Sequence, residues 1–352
     1  MELGSEYNLN FSDLTIKETN IFRYMSYCKK QCFFDSGRSA LKHLASFFAP
    51  DDVILLPEFI CESVTRCFCD NKVRFYKINY DFTIDVDSIK ALVDERTHAV
   101  FLMHYFGSIQ PYEVLREIKL LADEYGLVVI EDTTHSIFSK RRTVGDYQIC
   151  SIRKWMPLPS GGVLYSEMDP LAVFDNITYN HSVDNDRSYG MVLKDLFLSS
   201  GLDCNIEYRK IFCECEDKLN RQEGIYLLSD LSRFIASCVD IDDMKKRRIE
   251  NYKYLELKLS NRGIKPVVKL VDGDCPLVFP LSVKNRDGFR NFLMDNRIYC
   301  AVHWPFDDIM GEQRKFAYEC AKNLISLPID QRYNKNDIEY MADVISWYGD
   351  EL

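Results

Sequence analysis

Between Gly145 and Gly162 the chain brings a hydroxyl, a guanidinium and an amine close together, in Ser151, Arg153 and Lys154. Pro157 and Pro159 then stiffen the segment, and Gly161-Gly162 let it turn. An amine held in such a loop would be desolvated and near other cations. Those conditions keep it uncharged and nucleophilic, as a Schiff-base lysine must be. The plain alternative is a surface lysine.

Two other stretches have the composition of ligand-facing strand ends, where open α/β sheets bind their ligands. Asp35-Ser36-Gly37-Arg38-Ser39-Ala40-Leu41 reads as a turn opening a helix that continues through Leu44 and Phe47. Helix starts present N–H groups and a positive dipole end, and glycine lets a phosphate approach the backbone. Ser36 could equally serve as a simple helix cap. The other stretch is Leu127-Val128-Val129-Ile130-Glu131-Asp132-Thr133-Thr134-His135. So apolar a strand is buried on both faces, so the carboxylates at its end must meet a cation, a metal or water. A solvated rim loop is the alternative. Taken in chain order, an anion cradle, an aspartate on a buried strand and a lysine on a shaped loop match the needs of pyridoxal phosphate: phosphate site, pyridinium partner and aldehyde anchor.

These residues need a scaffold of alternating strands and helices. Short apolar runs predict strands at Val53–Leu56, Val73–Ile78, Ala99–His104, Leu127–Glu131 and Gly162–Ser166, as in βαβ units with a largely parallel sheet. Val114, Ile118, Leu121 and Tyr125 recur at helical spacing before Gly126, which predicts a crossover helix over Tyr112–Tyr125. Residues 167 to about 225 read as polar and irregular. A long helix from about Leu228 to Leu259 is expected to link two domains, its Lys245-Lys246-Arg247-Arg248 run forming a solvated face. Strands at Pro276–Val283 and Tyr299–His303 and a helix at Asp287–Asp295 complete the tail. The expected division is a large cofactor-binding domain over 1–235 and a small C-terminal domain over 236–352 that includes the linker helix.

Composition narrows the partners. The 352 residues are 47% apolar and 28% charged, the balance of an ordinary globular protein. A net charge of −10 without a basic cluster offers no source for nucleic-acid binding. No apolar run approaches the ~20 residues that span a bilayer, and Met1-Glu2-Leu3-Gly4 does not start a signal peptide, so a cytoplasmic protein is expected. The thirteen cysteines follow no disulfide spacing and suit reduced thiols. Cys67-Phe68-Cys69 and Cys213-Glu214-Cys215 lack a second pair at metal spacing, so no metal site is expected.

Several stretches together resemble the DegT/DnrJ/EryC1/StrS sugar aminotransferases, which are fold-type I pyridoxal-phosphate enzymes. They are Ser36-Gly37-Arg38-Ser39-Ala40-Leu41, Val53-Ile54-Leu55-Leu56-Pro57, His104-Tyr105-Phe106-Gly107, Ile130-Glu131-Asp132-Thr133-Thr134-His135 and Gly145-Asp146. Ser151, Lys154 and Gly161-Gly162 follow, and Val302-His303-Trp304-Pro305 and Ser326-Leu327-Pro328 resemble the closing segments. The resemblance implies the fold-type I aminotransferase architecture: a mostly parallel central sheet flanked by helices, with a smaller α/β C-terminal domain. It implies that Asp132 meets the pyridine nitrogen, that His135 lies by the phenolic oxygen, and that Gly37, Arg38 and Ser151 hold the phosphate. Lys154 would bind the aldehyde and shuttle the proton. Arg38 replaces a small hydroxyl residue of the family, and the Ser151-to-Lys154 spacing is two residues short. Cys61 stands where a stacking ring is usual, so Phe59 or Tyr105 is the expected cover for the cofactor.

The activity implied is amino transfer from an amino acid such as glutamate to a keto sugar nucleotide, in a homodimer. Decarboxylation or dehydration on the same fold, and a cofactor-free regulatory homologue, are the other readings.

Overall fold

The structure, a computed structural model, describes residues 2–28, 30–166, 177–305 and 314–348. The chain gathers into two units, neither of which follows the expected division at 235/236. The first consists of Glu6–Phe47 and Tyr147–Asp242, the second of Glu2–Ser5, Phe48–Asp146 and Asp243–Leu352.

The second unit holds the parallel strands. Lys72–Tyr76, Val53–Pro57, Thr97–Met103 and Val128–Asp132 pair in that order, all parallel, with Met103 opposite Asp132. Val53–Pro57 is buried at every position, as a strand covered on both faces must be. The helix Tyr112–Tyr125 lies where its period places it and ends at Gly126, whose φ of 68° is the left-handed cap conformation. Its Leu115, Ile118 and Ala122 share a core with Val53, Leu55, Val100 and Leu102. In the C-terminal part Phe279–Ser282 runs antiparallel to Leu324–Leu327. Their Phe279, Leu281, Ile325 and Leu327 pack with Leu255 and Leu259 of Ile241–Ser260 and with Met341 and Ile345 of Lys335–Trp347. The strand expected over Tyr299–His303 is shorter, at Ile298–Tyr299, and pairs with Leu3–Gly4.

In the first unit the strands run mainly antiparallel. Gly162–Ser166 lies between Tyr147–Cys150 and Lys30–Phe34 and is antiparallel to both. It was expected in the parallel series, but the short Ser151–Gly161 connection lacks the length of a crossover and returns the chain alongside itself.

The stretch read as irregular contains two long helices, His181–Ser200 and Asn205–Arg221; its residues 167–176 lie outside the described ones. Periodicity failed here because the buried stripe of the first helix is partly charged: Arg187 and Lys194 are buried beside Val183, Met191 and Leu193. Gly190 lets the second helix come close, since a Cβ there would lie 3.0 Å from Ile211 Cγ2. The long helix expected from Leu228 is two, Asp230–Ser237 and Ile241–Ser260. Its basic run is a solvated face only at Lys246 and Arg247. Lys245 and Arg248 are buried, and Arg248 donates to the Gln331 side chain and the Leu277 carbonyl.

All thirteen cysteines are free thiols. Among the described residues no group of three or more side chains could hold a metal, and no helix is long and apolar enough to cross a membrane.

Candidate active site

The first unit brings together Gly37, Ser151 and Lys154. Ser36 caps the helix Gly37–Ala45, its oxygen accepting the Ser39 N–H at 3.1 Å. The plain reading of Ser36 is therefore realised, and it leaves Gly37 as the first residue of a helix start. A Cβ on Gly37 would lie 3.2 Å from Ser151 Cβ, so the helix start abuts the Ser151 loop closely. Gly162 makes this docking possible, because a Cβ there would meet the Ser36 carbonyl carbon and oxygen at 2.2 Å. A tight 3-10 turn over Ile152–Lys154 follows, with the Lys154 N–H donating to the Ser151 carbonyl at 3.3 Å. A helix N-terminus, a serine hydroxyl and a small-residue cradle suit a phosphate, and an amine one turn away suits its aldehyde. Unlike the expectation of a desolvated amine, the Lys154 side chain is exposed in the single chain.

Arg38 and Arg153 flank this cradle and both turn to one carboxylate. Glu216 lies 2.8 Å from Arg153, 3.0 Å from Arg187 and 3.7 Å from Arg38. Arg38 also donates to Asn220 at 2.9 Å. Burial alone would push the Glu216 carboxyl up, but Arg153, Arg187 and Arg38 outweigh it and hold it down at about 2. Arg187, 2% exposed, also pairs with Glu6. The phosphate contact expected of Arg38 thus competes with a protein partner that sequence reasoning missed. Nothing in the pattern around Glu216 distinguishes it from a solvated helix residue.

The second unit presents Asp132 and His135. Asp132 ends its strand, is 5% exposed, and accepts the Thr134 N–H at 2.8 Å, which fixes its carboxylate. The neighbouring Glu131 is fully buried, and its Oε1 accepts the N–H groups of Val144 and Gly145 at 2.8 and 2.9 Å. Its Oε2 faces His104 Nε2 at 3.4 Å. His104 Nδ1 accepts the Gln110 N–H, so a single ring proton sits on Nε2, towards the carboxylate. In place of the cation expected at this strand end, Glu131 has two backbone amides, with the neutral His104 ring beside it. His135 is fully buried; its Nδ1 accepts the Phe106 N–H at 3.3 Å, and its ring stacks on Trp304 at 5.7 Å and 22°. Trp304 carried no role in the sequence reading beyond its closing motif. Phe59 and Tyr105 are buried and stack on each other at 5.9 Å, the Tyr105 hydroxyl donating to the Phe59 carbonyl. Phe59 also packs against Trp304 at 4.9 Å.

Comparison with known proteins follows these residues. Residues 40–186, which include Asp132, His135, Ser151 and Lys154, match the DegT/DnrJ/EryC1/StrS aminotransferase family. The dTDP-3-amino-3,6-dideoxy-alpha-D-galactopyranose transaminase of Aneurinibacillus thermoaerophilus is 24% identical over 285 residues, covering 76% of this chain and 70% of that one. GDP-perosamine synthase of Caulobacter vibrioides is 26% identical over 187 residues, 47% of this chain and 48% of that one. Among solved structures, Helicobacter pylori PseC, an aminotransferase involved in the biosynthesis of pseudoaminic acid, shares the fold with a TM-score of 0.69 at 16% identity, over 99% of both chains. DesV of S. venezuelae does so with a TM-score of 0.66 at 16% identity, over 99% of this chain and 92% of that one. With its α/β fold and its ordered site motifs, the chain is similar to the DegT/DnrJ/EryC1/StrS aminotransferases, with residues 40–186 matching that family.

Proposed function

We propose that this protein is a pyridoxal-phosphate-dependent aminotransferase that moves an amino group from an amino acid such as glutamate to a keto sugar nucleotide, as a cytoplasmic homodimer serving surface-polysaccharide or natural-product synthesis. The observation that carries the reading is the close docking of Gly37 on Ser151, with Lys154 one tight turn further on. The names of the two sequence relatives, a sugar-nucleotide transaminase and a perosamine synthase, support the acceptor class. Thirteen free thiols favour a reducing compartment. Exposure of Lys154 in the single chain favours a second copy, because covering that face would take water away from the amine.

Gly37 and Ser151 would hold the phosphate, Lys154 the aldehyde carbon, and Asp132 the pyridine nitrogen. Bound there, the cofactor supplies an electron sink for the substrate carbon that loses its proton. Asp132, fixed by the Thr134 N–H, keeps a negative charge ready for a protonated ring nitrogen. His135, with Nδ1 occupied by the Phe106 N–H, carries its ring proton on Nε2 as a donor suited to a phenolic oxygen. Lys154 Nζ takes the proton from the substrate carbon and returns it, one amine serving as anchor and as acid/base.

Borohydride treatment of the purified holoenzyme should fix the cofactor irreversibly on the peptide containing Lys154, and mass mapping reads the site. Lys154→Ala should fold, since the side chain is exposed, yet show no fixed cofactor and no amino transfer from glutamate. Fixation elsewhere, or an active Lys154→Ala enzyme, removes Lys154 from this role.

A further inference from the structure

We infer that Glu216, Asn220 and Gln222, at the end of the Asn205–Arg221 helix and just after it, are positioning residues that pre-set the phosphate cradle. This rests on the reading of Gly37 and Ser151 as that cradle.

Three attachments join this helix to the loops that form the cradle. Gln222 Nε2 donates to Asp35 Oδ2 at 3.0 Å and to Ser39 Oγ at 3.0 Å, bracketing the turn that contains Ser36 and Gly37. The amide is oriented by Asn180, which donates to its oxygen, and the Gln222 main-chain carbonyl accepts from Lys42 of the same cradle helix. Asp35 in turn accepts from Ser36 Oγ at 3.0 Å, the same hydroxyl that caps the helix. Asn220 takes a hydrogen bond from Arg38, the residue after Gly37. Glu216 pairs with Arg153, which lies between Ser151 and Lys154, and approaches Arg38. One carboxylate therefore ties the residue beside each half of the cradle to a single helix.

The electrostatics fit a phosphate. Arg38, Arg153 and Arg187 gather on Glu216, and Arg187 also on Glu6, which brings three guanidinium groups beside the cradle. A turn held in place at folding has no ordering cost left when the anion arrives. None of these three side chains belongs to the set that would meet the ring nitrogen, the phenolic oxygen or the aldehyde. Their effect should therefore fall on the phosphate alone.

Comparing pyridoxal phosphate with pyridoxal, its phosphate-free form, isolates that effect. Full-length protein stripped of cofactor is titrated with each compound, for the wild type and for Gln222→Leu, Glu216→Gln and Asn220→Ala. The last alters an exposed side chain and spares folding. Gln222→Leu and Glu216→Gln should weaken pyridoxal phosphate about tenfold, the weight of one charge-assisted hydrogen bond, and pyridoxal less than about twofold. Asn220→Ala should shift the same ratio in the same direction by a smaller factor. Equal losses for both compounds, or an unchanged ratio in all three variants, overturns the inference. A wild type that binds both equally well fails the cradle reading itself, which is a different result.

Discussion

Replacing Glu131 with glutamine changes one atom at a fully buried position and tests whether the Asp132 strand end is held as described. Glu131 Oε1 accepts two backbone N–H groups and Oε2 faces the His104 N–H. A carboxylate can accept on both oxygens. An amide cannot, so glutamine must turn its NH2 either towards the two backbone donors or towards His104 Nε2. The second arrangement is the less costly, and it sets donor against donor at 3.4 Å. Loss of charge weakens two hydrogen bonds and a second donor is set against the His104 N–H, together about 3 kcal/mol. Urea unfolding at pH 7 should show that loss, and hydrogen exchange should quicken at the amides of Val128–Asp132. Adding His104→Ala removes the opposed donor, so a double-mutant cycle should give a coupling of about 1 kcal/mol or more. Glu131→Gln within about 0.5 kcal/mol of wild type, or additive effects in the cycle, would refute the account.

Gly162→Ala places a Cβ 2.2 Å from the Ser36 carbonyl group, which is backbone that cannot step aside. It should destabilise the first unit by about 3 kcal/mol or abolish its folding, as soluble yield and calorimetry would show. Glu216 contributes pH-dependent stability of a predictable sign: its folded value of about 2 lies below the ordinary 4.5, so its contribution is complete above the latter and is lost as pH falls towards about 2. After discounting for its partial exposure this is about 1–2 kcal/mol. Wild type and Glu216→Gln should therefore differ by a constant amount near neutrality and converge below about pH 4. A gap that widens on acidification would reverse the sign and contradict the arginine cluster.

Much of the second unit could be read directly. Val53–Leu56 and Leu127–Glu131 are apolar on both faces, and the Tyr112–Tyr125 helix has its stripe and its glycine stop, so period and punctuation agree with the fold. The candidate residues Gly37, Ser151 and Lys154 stand out for the same reason, since they sit at helix and strand ends. His181–Ser200 and Asn205–Arg221 were not legible. Their helix interface buries Arg187 and uses Glu216 as its counter-charge, so hydropathy shows no stripe. Arg248, which looked solvated in a run of basic residues, is buried, and Gln331 and the Leu277 carbonyl, far away in sequence, accept its hydrogen bonds.

The amino-acid order by itself thus determined which short segments become buried strands, where the crossover helix stops, and which hydroxyl, acid and amine stand at their ends. Local sterics and periodic burial are enough for that. Only the tertiary structure decided which charges come together: that Glu216 gathers three arginines, that Glu131 lies beside His104, and that Lys154 is exposed in the single chain. A charge tolerates burial only through a partner, and the partners here lie tens or hundreds of residues away, beyond any local pattern.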